Sequence, residues 1–444
     1  MLREKLRQAF DDQQAEFLSE GQLAAVHQVT NGGPDLLWIE GTGAGKSLSF
    51  TLPSTIGQSG MIIVIVPLRA LRHNLAIRTP HAVEWSGKPP PTNTRLLLVP
   101  AEKAMQEAFQ EYLTTMTSPF AAPGVTRVVF DEAHIFLTTA HYRSVLLEVL
   151  SKISARPCPL LFLSATMPPN LVAELESRIT GLRVLRGDIL RHNIRYQIVH
   201  TTEEKVDNYI EKAVEIMEKK KEDKAIFVCW NPVECEKLKK FFRKKFPDIP
   251  VLLYHGKLDS EEKDAAIEKW VDKDSITQIM ICTSAGAVGV DVPNVRYVVH
   301  LGGSHSLLDY LQETGRAGRD GEVAVALTIT TPNFLDFLGL EGDVSEIEKF
   351  WDYLDYQECS QQYLARYLGS EISCCLAREG DQRCTNCIRV AKAAEPQDHE
   401  GQRILFHFHL LLLSPTSIVA SFNRTRTRTR TTSRATSSGV GSCP

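Results

Sequence analysis

The chain has 444 residues, of which 43% are hydrophobic and 23% charged, a composition typical of a folded protein with two or three domains. Its formal net charge of −4 excludes a broadly basic surface, so any contact with nucleic acid is expected to be confined to a groove. The charged N-terminal segment is not a signal peptide, and the apolar run at 404–413, broken by two histidines, is shorter than the roughly 20 residues of a membrane span. We therefore expect an intracellular protein that does not interact with a membrane.

Short apolar runs alternate with longer helical stretches along most of the chain. In the first half these runs lie at residues 36–39, 61–66, 95–99, 127–130 and 160–163. In the second half they lie at residues 225–230, 251–254, 278–282, 297–300 and 323–329. This alternation predicts an α/β protein with two tandem parallel-sheet lobes, joined by a connection at RGDILRHNIRYQ, residues 186–197.

The strand pattern ends near residue 340. Residues 344–369 have the pattern of helices, and the stretch that follows, to about residue 392, is rich in cysteine. The last fifty residues include RTRTRTRTTSRATSS, which is low in complexity and lacks apolar periodicity. We predict two lobes at 1–195 and 196–340, a small helical module at 341–393 and a disordered tail at 394–444, to which we assign no role.

A glycine-rich turn follows the first predicted strand in LLWIEGTGAGKSLSF. Glycines at 41, 43 and 45 let backbone amides point into one concavity, and the helix that follows directs its N-terminal dipole at the same place, which suits a phosphate. Lys46 is expected to reach the β- and γ-phosphates of ATP, and the Ser47 hydroxyl to bind Mg²⁺. The residues expected to contact ATP here are Thr42, Gly43, Ala44, Gly45, Lys46 and Ser47. The full motif begins with glycine, where this chain has Glu40.

Two further motifs complete the predicted site. TRVVFDEAH places Asp131 and Glu132 at the end of a buried strand, where Asp131 would hold Mg²⁺ and Glu132 would orient the attacking water. QETGRAGRDG, residues 312–321, places Arg316 and Arg319 three residues apart, so both could face the γ-phosphate from the second lobe. The sequence therefore predicts ATP hydrolysis between two lobes, with Lys46, Asp131, Glu132, Arg316 and Arg319 as the catalytic residues.

Five cysteines lie within thirty residues of the third segment. They are Cys359, Cys374, Cys375, Cys384 and Cys387, of which the last two form a CxxC pair. Four thiolates in so small a segment suit a tetrahedral, structural Zn²⁺, and free buried thiols are the alternative. Spacing alone does not decide between Cys374 and Cys375 as the second ligand.

From about residue 17 to 390 the chain resembles the RecQ family of superfamily 2 DNA helicases. The resemblance is carried by the following segments, which match in order: FLSEGQLAAV, VPLRALRHNL, LLLVPAEKA, LFLSATMP, RHNIRY, AIFVCWNPVECEKL, YHGKL, CTSAGAVGVDVPNVRYVVHLG and QETGRAGRDG. It implies two RecA-like lobes, a four-cysteine zinc module, and ATP-driven 3′-to-5′ movement on single-stranded or partly duplex DNA. It also implies a nuclear role in DNA repair and recombination. Within the family this chain is expected to be a shortened form, without recognisable winged-helix and HRDC domains.

The resemblance assigns further residues. Gln22 would read adenine, Asp291 would face the ribose, and Cys375 is favoured slightly over Cys374 as a zinc ligand. The residues implied to link hydrolysis to strand movement are Ser164, Ala165, Thr166 and Gln312. Those implied to contact DNA are Arg69, Lys103, Arg143, His255 and Thr283.

The chain departs from the family after the DEAH sequence. The family has an aromatic-rich loop there that senses DNA, whereas this chain has IFLTTAHYRSV, with His141, Tyr142 and Arg143 but no tryptophan. Two alternatives to a processive DNA helicase therefore stay open. One is a DNA-binding ATPase or clamp with little unwinding activity, and the other is an RNA helicase of the same superfamily.

Overall fold

The computed structural model describes residues 1–56, 60–67, 75–76, 79–118, 121, 124–153, 158–217, 222–272, 275–284, 292–334 and 344–394. The predicted tail from residue 395 onward and two of the predicted site residues, Arg69 and Asp291, lie outside these ranges. Among the described residues, no helix is both long and apolar enough to cross a bilayer.

The first lobe is built on a seven-stranded, all-parallel sheet. Its strands are β1 (Leu36–Ile39), β2 (Met61–Val66), β3 (Val83–Glu84), β4 (Leu96–Pro100), β5 (Val125–Phe130), β6 (Leu160–Ser164) and β7 (Arg183–Arg186). Its helices are α1 (Leu2–Phe10), α2 (Glu20–Thr30), α3 (Leu48–Ile56), α4 (Ala101–Ala104), α5 (Glu107–Met116), α6 (Ile135–Thr138), α7 (Ala140–Ile153) and α8 (Pro169–Arg178). The strand order is β3-β4-β2-β5-β6-β1-β7, so β5, β6 and β1 are consecutive neighbours.

The second lobe contains a six-stranded, all-parallel sheet. Its strands are β8 (Ile194–His200), β9 (Lys224–Cys229), β10 (Val251–Tyr254), β11 (Ile279–Thr283), β12 (Val295–Leu301) and β13 (Ala324–Thr330). Its helices are α9 (Glu203–Met217), α10 (Pro232–Lys245), α11 (Ser260–Val271) and α12 (Leu307–Thr314). The strand order is β10-β11-β9-β12-β13-β8.

Several central strands are apolar along their whole length because both faces of each sheet are covered. In β2, for example, the sequence MIIVIV is buried at every position. Met61, Ile63 and Ile65 pack into one apolar cluster, and the alternate residues pack into another on the opposite face. This is the pattern of a parallel sheet between two helical layers, and it explains why an unbroken apolar run predicted the strand correctly.

The predicted connection at 186–197 was wrong at both ends, since β7 ends at Arg186 and β8 begins at Ile194. Both strands lie at sheet edges, where only one neighbour is present and charged side chains such as Arg183 and Arg195 are tolerated. Their mixed composition hid them in the sequence. The predicted division at 195/196 therefore falls inside β8, and the chain passes from one sheet to the other between residues 187 and 193.

In its described part, residues 344–394, the third segment contains three helices, α13 (Val344–Leu354), α14 (Ser360–Tyr367) and α15 (Thr385–Ala394). It packs against both lobes. Arg186 of the first lobe donates to the Leu368 carbonyl at 2.7 Å, and the Ile198 amide of the second lobe donates to Thr385 Oγ1 at 3.0 Å. A single apolar cluster runs through both lobes and this module.

Candidate active site

The glycine-rich loop lies between the end of β1 and the start of α3. Gly43 and Gly45 have φ values of +87° and +67°, a region that side chains rarely adopt. A Cβ at Gly45 would also collide with the Gln22 amide. Lys46 Nζ donates to the carbonyl oxygens of Glu40 at 2.7 Å and Gly41 at 3.0 Å, so the ammonium group lies across the concave side of the loop. Positive φ values within one short loop are typical of the turns that bind phosphate.

Glu40, the departure from the phosphate-loop pattern, does not disturb the loop. Its φ is not positive, so the position needs no glycine. The carboxylate accepts a hydrogen bond from Trp38 Nε1 at 2.9 Å and is 7% exposed. Two glycines leave the room for it, because a Cβ on Gly21 or Gly187 would come within 2.6 Å of Glu40 atoms. The side chain therefore points away from the phosphate concavity.

Gln22, predicted to read adenine, lies against the phosphate loop. Its Oε1 accepts from the Leu18 amide at 2.8 Å, and its Nε2 donates to the carbonyls of Ala44 at 3.3 Å and Gly45 at 3.2 Å. The residue is 2% exposed. Helix α2 therefore contacts the phosphate loop through Gln22, and the adenine contact stays a prediction.

The acid pair follows β5, whose neighbour β6 pairs in turn with β1, so the acids and the phosphate loop share one edge of the sheet. Glu132 has a φ of +50°, one of two non-glycine residues with positive φ in the described chain. Such a conformation costs about 1 kcal/mol or more and tends to occur at functional sites. Burial, and then the neighbouring Glu132, raise the pKa of Asp131 to about 7, while Lys46 opposes the rise.

This excess of negative charge fits a divalent cation. Glu132 Oε2 lies 3.5 Å from His134 Nδ1 and has no hydrogen-bond partner among the described residues. Two carboxylates beside one lysine are the environment that Mg²⁺ neutralises. Ser47, the other predicted Mg²⁺ ligand, lies directly after Lys46, where the loop becomes α3.

His134, which the sequence reasoning did not select, connects the acid pair to the second lobe. Its Nδ1 lies 3.0 Å from Ser164 Oγ, and its Nε2 lies 3.0 Å from Gln312 Nε2. Burial lowers its pKa, so the ring is neutral. Because the Gln312 amide donates, Nε2 must accept, which leaves the ring proton on Nδ1 facing Ser164 and Glu132. His134 is the last residue of the DEAH sequence, and it could have been selected from that position.

The predicted coupling residues meet across the cleft. Gln312 Nε2 donates to Thr166 Oγ1 at 2.6 Å, which joins α12 of the second lobe to the segment after β6. Ser164 Oγ donates to the Thr166 carbonyl at 2.8 Å, and Ala165 between them is buried. A second bridge runs from Thr42 Oγ1 to the Gly315 carbonyl at 2.7 Å. The segment that carries the arginines therefore faces the phosphate loop.

The two arginines add to the positive charge of Lys46. Burial, and then Arg319, lower the pKa of Arg316 to about 10, and Arg316 is 6% exposed. Arg319 also contributes to the lowered pKa of Lys46, for which loss of solvent is the main cause. Three cations thus converge beside two carboxylates, an arrangement suited to a polyanionic triphosphate.

Glu313 lies beneath the arginines and was also missed by the sequence reasoning. It is 2% exposed and accepts from His300 Nε2 and Ser304 Oγ, both at 2.8 Å. Burial favours its neutral form, but these hydrogen bonds outweigh burial and hold the pKa of Glu313 below its ordinary value. This buried anion fixes the end of α12 to β12.

The cysteine cluster lies at the junction of α14 and α15. The sulfurs of Cys359, Cys375, Cys384 and Cys387 all lie within 4.8 Å of one another and are buried. Ligands at 2.3 Å from a tetrahedral Zn²⁺ are separated by about 3.8 Å, close to the 3.9 Å between Cys375 and Cys384, so the four could hold zinc. Cys374 lies outside this group, with its sulfur 3.3 Å from that of Cys387. The geometry favours Cys375 as the second ligand.

The residues implied to contact DNA are not all free to do so. Arg143 Nε donates to the Leu137 carbonyl at 3.1 Å and lies 3.9 Å from Glu174, and Tyr142 donates to the Pro67 carbonyl at 2.7 Å. Lys103 Nζ donates to the Trp85 carbonyl at 3.2 Å. Thr283 is at the end of β11 and 8% exposed, and His255 is 4% exposed.

Comparison with known proteins finds helicase relatives for both lobes. Residues 19–175 match the DEAD/DEAH box helicase family, and residues 207–321 match the helicase conserved C-terminal domain. The RecQ-like DNA helicase BLM of Xenopus laevis is 29% identical over 337 residues, 69% of this chain and 23% of that protein. The ATP-dependent DNA helicase RecQ of Bacillus subtilis is 24% identical over 424 residues, 87% of this chain and 67% of that protein.

The chain is a RecQ-family helicase homologue. Its share of the first three relatives is 52%, 23% and 40% of their lengths, so it spans about half or less of each. Among solved structures, helicase Lhr of Mycobacterium smegmatis bound to ssDNA and AMP-PNP has a TM-score of 0.56 at 20% identity, covering 74% of this chain and 48% of that one. Dbp5 of S. cerevisiae bound to RNA and ADP BeF3 has a TM-score of 0.59 at 17% identity, covering 76% and 90%. These structures show that the RecQ homologue shares the two-lobed helicase fold.

Proposed function

We propose that this RecQ homologue hydrolyses ATP and uses the hydrolysis to move along single-stranded DNA in the 3′-to-5′ direction, separating duplex as it moves. The observation that carries the proposal is the contact of Gln312 with both Thr166 and His134. Through it, one side chain of the second lobe reaches the acid pair and the segment after β6 at once. Hydrolysis of the nucleotide would therefore change contacts in both lobes.

In the proposed mechanism Lys46 and the loop amides bind the phosphates, and Arg316 and Arg319 approach the γ-phosphate from the second lobe. Glu132 orients the attacking water, and His134 Nδ1 lies 3.5 Å from that carboxylate. Asp131 and Ser47 would hold Mg²⁺, which supplies charge neutralisation on the phosphates when it is bound. Asp291 would contact the ribose.

The cysteine cluster is proposed to hold a structural Zn²⁺ through Cys359, Cys375, Cys384 and Cys387. The module around it contacts both lobes, so the ion would stabilise a segment that spans the lobe junction. Nucleic-acid binding is proposed for the groove across the two lobes, with Lys103, His255 and Thr283 as contacts. A nuclear location is proposed from the family alone.

A second function, a DNA-binding ATPase with little unwinding activity, is favoured by one observation. Tyr142 and Arg143, which replace the family's aromatic-rich loop, both donate to backbone carbonyls of their own lobe. Side chains occupied in this way cannot stack on a base without breaking those bonds. Hydrolysis would then respond to DNA weakly, and strand separation would be poor.

Unwinding of two labelled duplexes, one with a 3′ single-stranded tail and one with a 5′ tail, tests the proposal. We expect ATP-dependent separation of the 3′-tailed duplex only. Separation of neither duplex, with DNA-dependent ATP hydrolysis retained, would replace the helicase with the second function. Separation of the 5′-tailed duplex would refute the direction.

A further inference from the structure

The short linker between β7 and β8 contacts both halves of the ATP site. Arg191 Nη1 donates to the Thr42 carbonyl of the phosphate loop at 3.1 Å. Its Nη2 donates to the Gly318 carbonyl, in the turn between Arg316 and Arg319. A single planar guanidinium group therefore spans the cleft, and its fork geometry fixes the two carbonyls relative to each other.

The Gly318 carbonyl also accepts hydrogen bonds from donors other than Arg191. Asn193 Nδ2 donates to it at 2.8 Å and also donates to the Glu322 carbonyl at 2.6 Å. The Gly321 amide donates to it at 3.0 Å. The position requires glycine, because its φ is +59° and a Cβ there would collide with the Asn193 amide. The linker thus packs directly onto the backbone of residues 315–321, the turn that carries Arg316 and Arg319, which we call the arginine turn.

The arginine turn needs such support for an electrostatic reason. Arg319 repels both Arg316 and Lys46, and the loss of solvent around Arg316 and Lys46 strengthens the repulsion. Repulsion favours a turn that swings away from the phosphate loop. Donors that hold the Gly318 carbonyl oppose that motion without touching the nucleotide.

We propose that Arg191 and Asn193 are positioning residues that hold the arginine turn at a fixed distance from the phosphate loop. The inference rests on the proposed ATPase function, since its catalytic consequence is the placement of Arg316 and Arg319. The two residues act through the turn and not on the substrate. Their loss should therefore reduce kcat far more than it changes the KM for ATP.

The test compares Arg191→Ala, Arg191→Lys and Asn193→Ala with a control, His192→Ala. The His192 ring faces Asp188 and Asp381, away from the arginine turn, and is 45% exposed. We expect Arg191→Ala to lower kcat about 30-fold, the loss of roughly 2 kcal/mol of positioning, with KM within about threefold. Arg191→Lys should recover part of the rate, since lysine keeps one donor but not the fork. His192→Ala should match the parent protein.

Hydrogen exchange separates this inference from the proposed function. Amides of the turn, including Gly321, should exchange faster in Arg191→Ala and in Asn193→Ala and be unchanged in His192→Ala. Unchanged exchange in both linker variants, or an increase in KM with kcat preserved, would overturn the positioning role. If the parent protein hydrolyses no ATP, the proposed function fails, and the exchange data alone then decide whether the linker holds the turn.

Discussion

Replacing Arg319 by alanine should abolish most ATP hydrolysis while leaving ATP binding nearly intact. The charge of Arg319 contributes to the lowered pKa of Lys46, so Arg319 lies near the phosphate loop. Arg316 is 6% exposed, and its charge interacts with Glu313 and Glu132. Because Arg319 is the arginine whose charge reaches Lys46, we expect it to meet the charge that develops on the γ-phosphate.

The size of the effect follows from electrostatics. A unit charge pair at about 4 Å with an effective dielectric constant of about 20 is worth roughly 4 kcal/mol. That corresponds to a rate loss of about a thousandfold, which is the effect expected for an arginine supplied to a phosphoryl-transfer site. The affinity for ATP should change by less than about tenfold, because Lys46, Arg316 and the loop amides remain.

The assay is steady-state ATP hydrolysis together with equilibrium binding of a fluorescent ATP analogue. The control is Arg366→Ala in the cysteine module, where the guanidinium bonds the Tyr356 hydroxyl at a distance from the site. Arg366→Ala should retain the parent kcat. A loss in Arg319→Ala of less than tenfold, or a loss that appears only in ATP affinity, would refute the assignment of Arg319 to the transition state.

Three further predictions concern the coupling contact, the cysteines and the pH dependence of stability. Gln312→Ala, which removes the bridge to Thr166, should reduce the stimulation of ATPase by single-stranded DNA about tenfold or more with basal turnover retained; equal stimulation in the variant would contradict the coupling role. Cys384→Ala should lose bound zinc as measured by metal analysis, whereas Cys374→Ala should retain one zinc per chain; the reverse result would show the ligand set to be wrong. Burial, and then Glu313, raise the pKa of Asp309 to about 6, above the unfolded value of about 3.9. Ionised Asp309 therefore lowers the free energy of unfolding above pH 6, and this destabilisation disappears as the pH falls toward 4. Urea unfolding should therefore show Asp309→Asn to be more stable than the parent by about 3 kcal/mol at pH 7.5 and equal to it near pH 4. A difference independent of pH would exclude the titration of Asp309.

The sequence predicted the central sheets and the glycine-rich loop after β1 because those features are local. Leu36–Ile39, Met61–Val66 and Val251–Tyr254 are strands with the predicted bounds, since unbroken apolar runs between turns have few other solutions. The glycine-rich loop could be read from GTGAGKS because the backbone conformation depends on the glycines themselves.

Other features depend on residues far apart in the chain and could not be read in this way. His134 meets Gln312, 178 positions away, and Arg191 meets Gly318, 127 positions away. The choice of Cys375 over Cys374 depends on how the chain turns before α15, which adjacent cysteines do not reveal. The edge strands β7 and β8 escaped prediction because charged residues are tolerated where a strand has one neighbour.

ATP turnover with and without single-stranded DNA, measured on the parent protein and on Lys46→Ala, tests most directly whether the cleft is an ATP site coupled to nucleic acid. We expect turnover that rises at least several-fold with DNA in the parent protein and is absent in Lys46→Ala. Turnover that is indifferent to DNA, or equal in the two proteins, would contradict the claim that the cleft between the lobes is an ATP site coupled to nucleic acid.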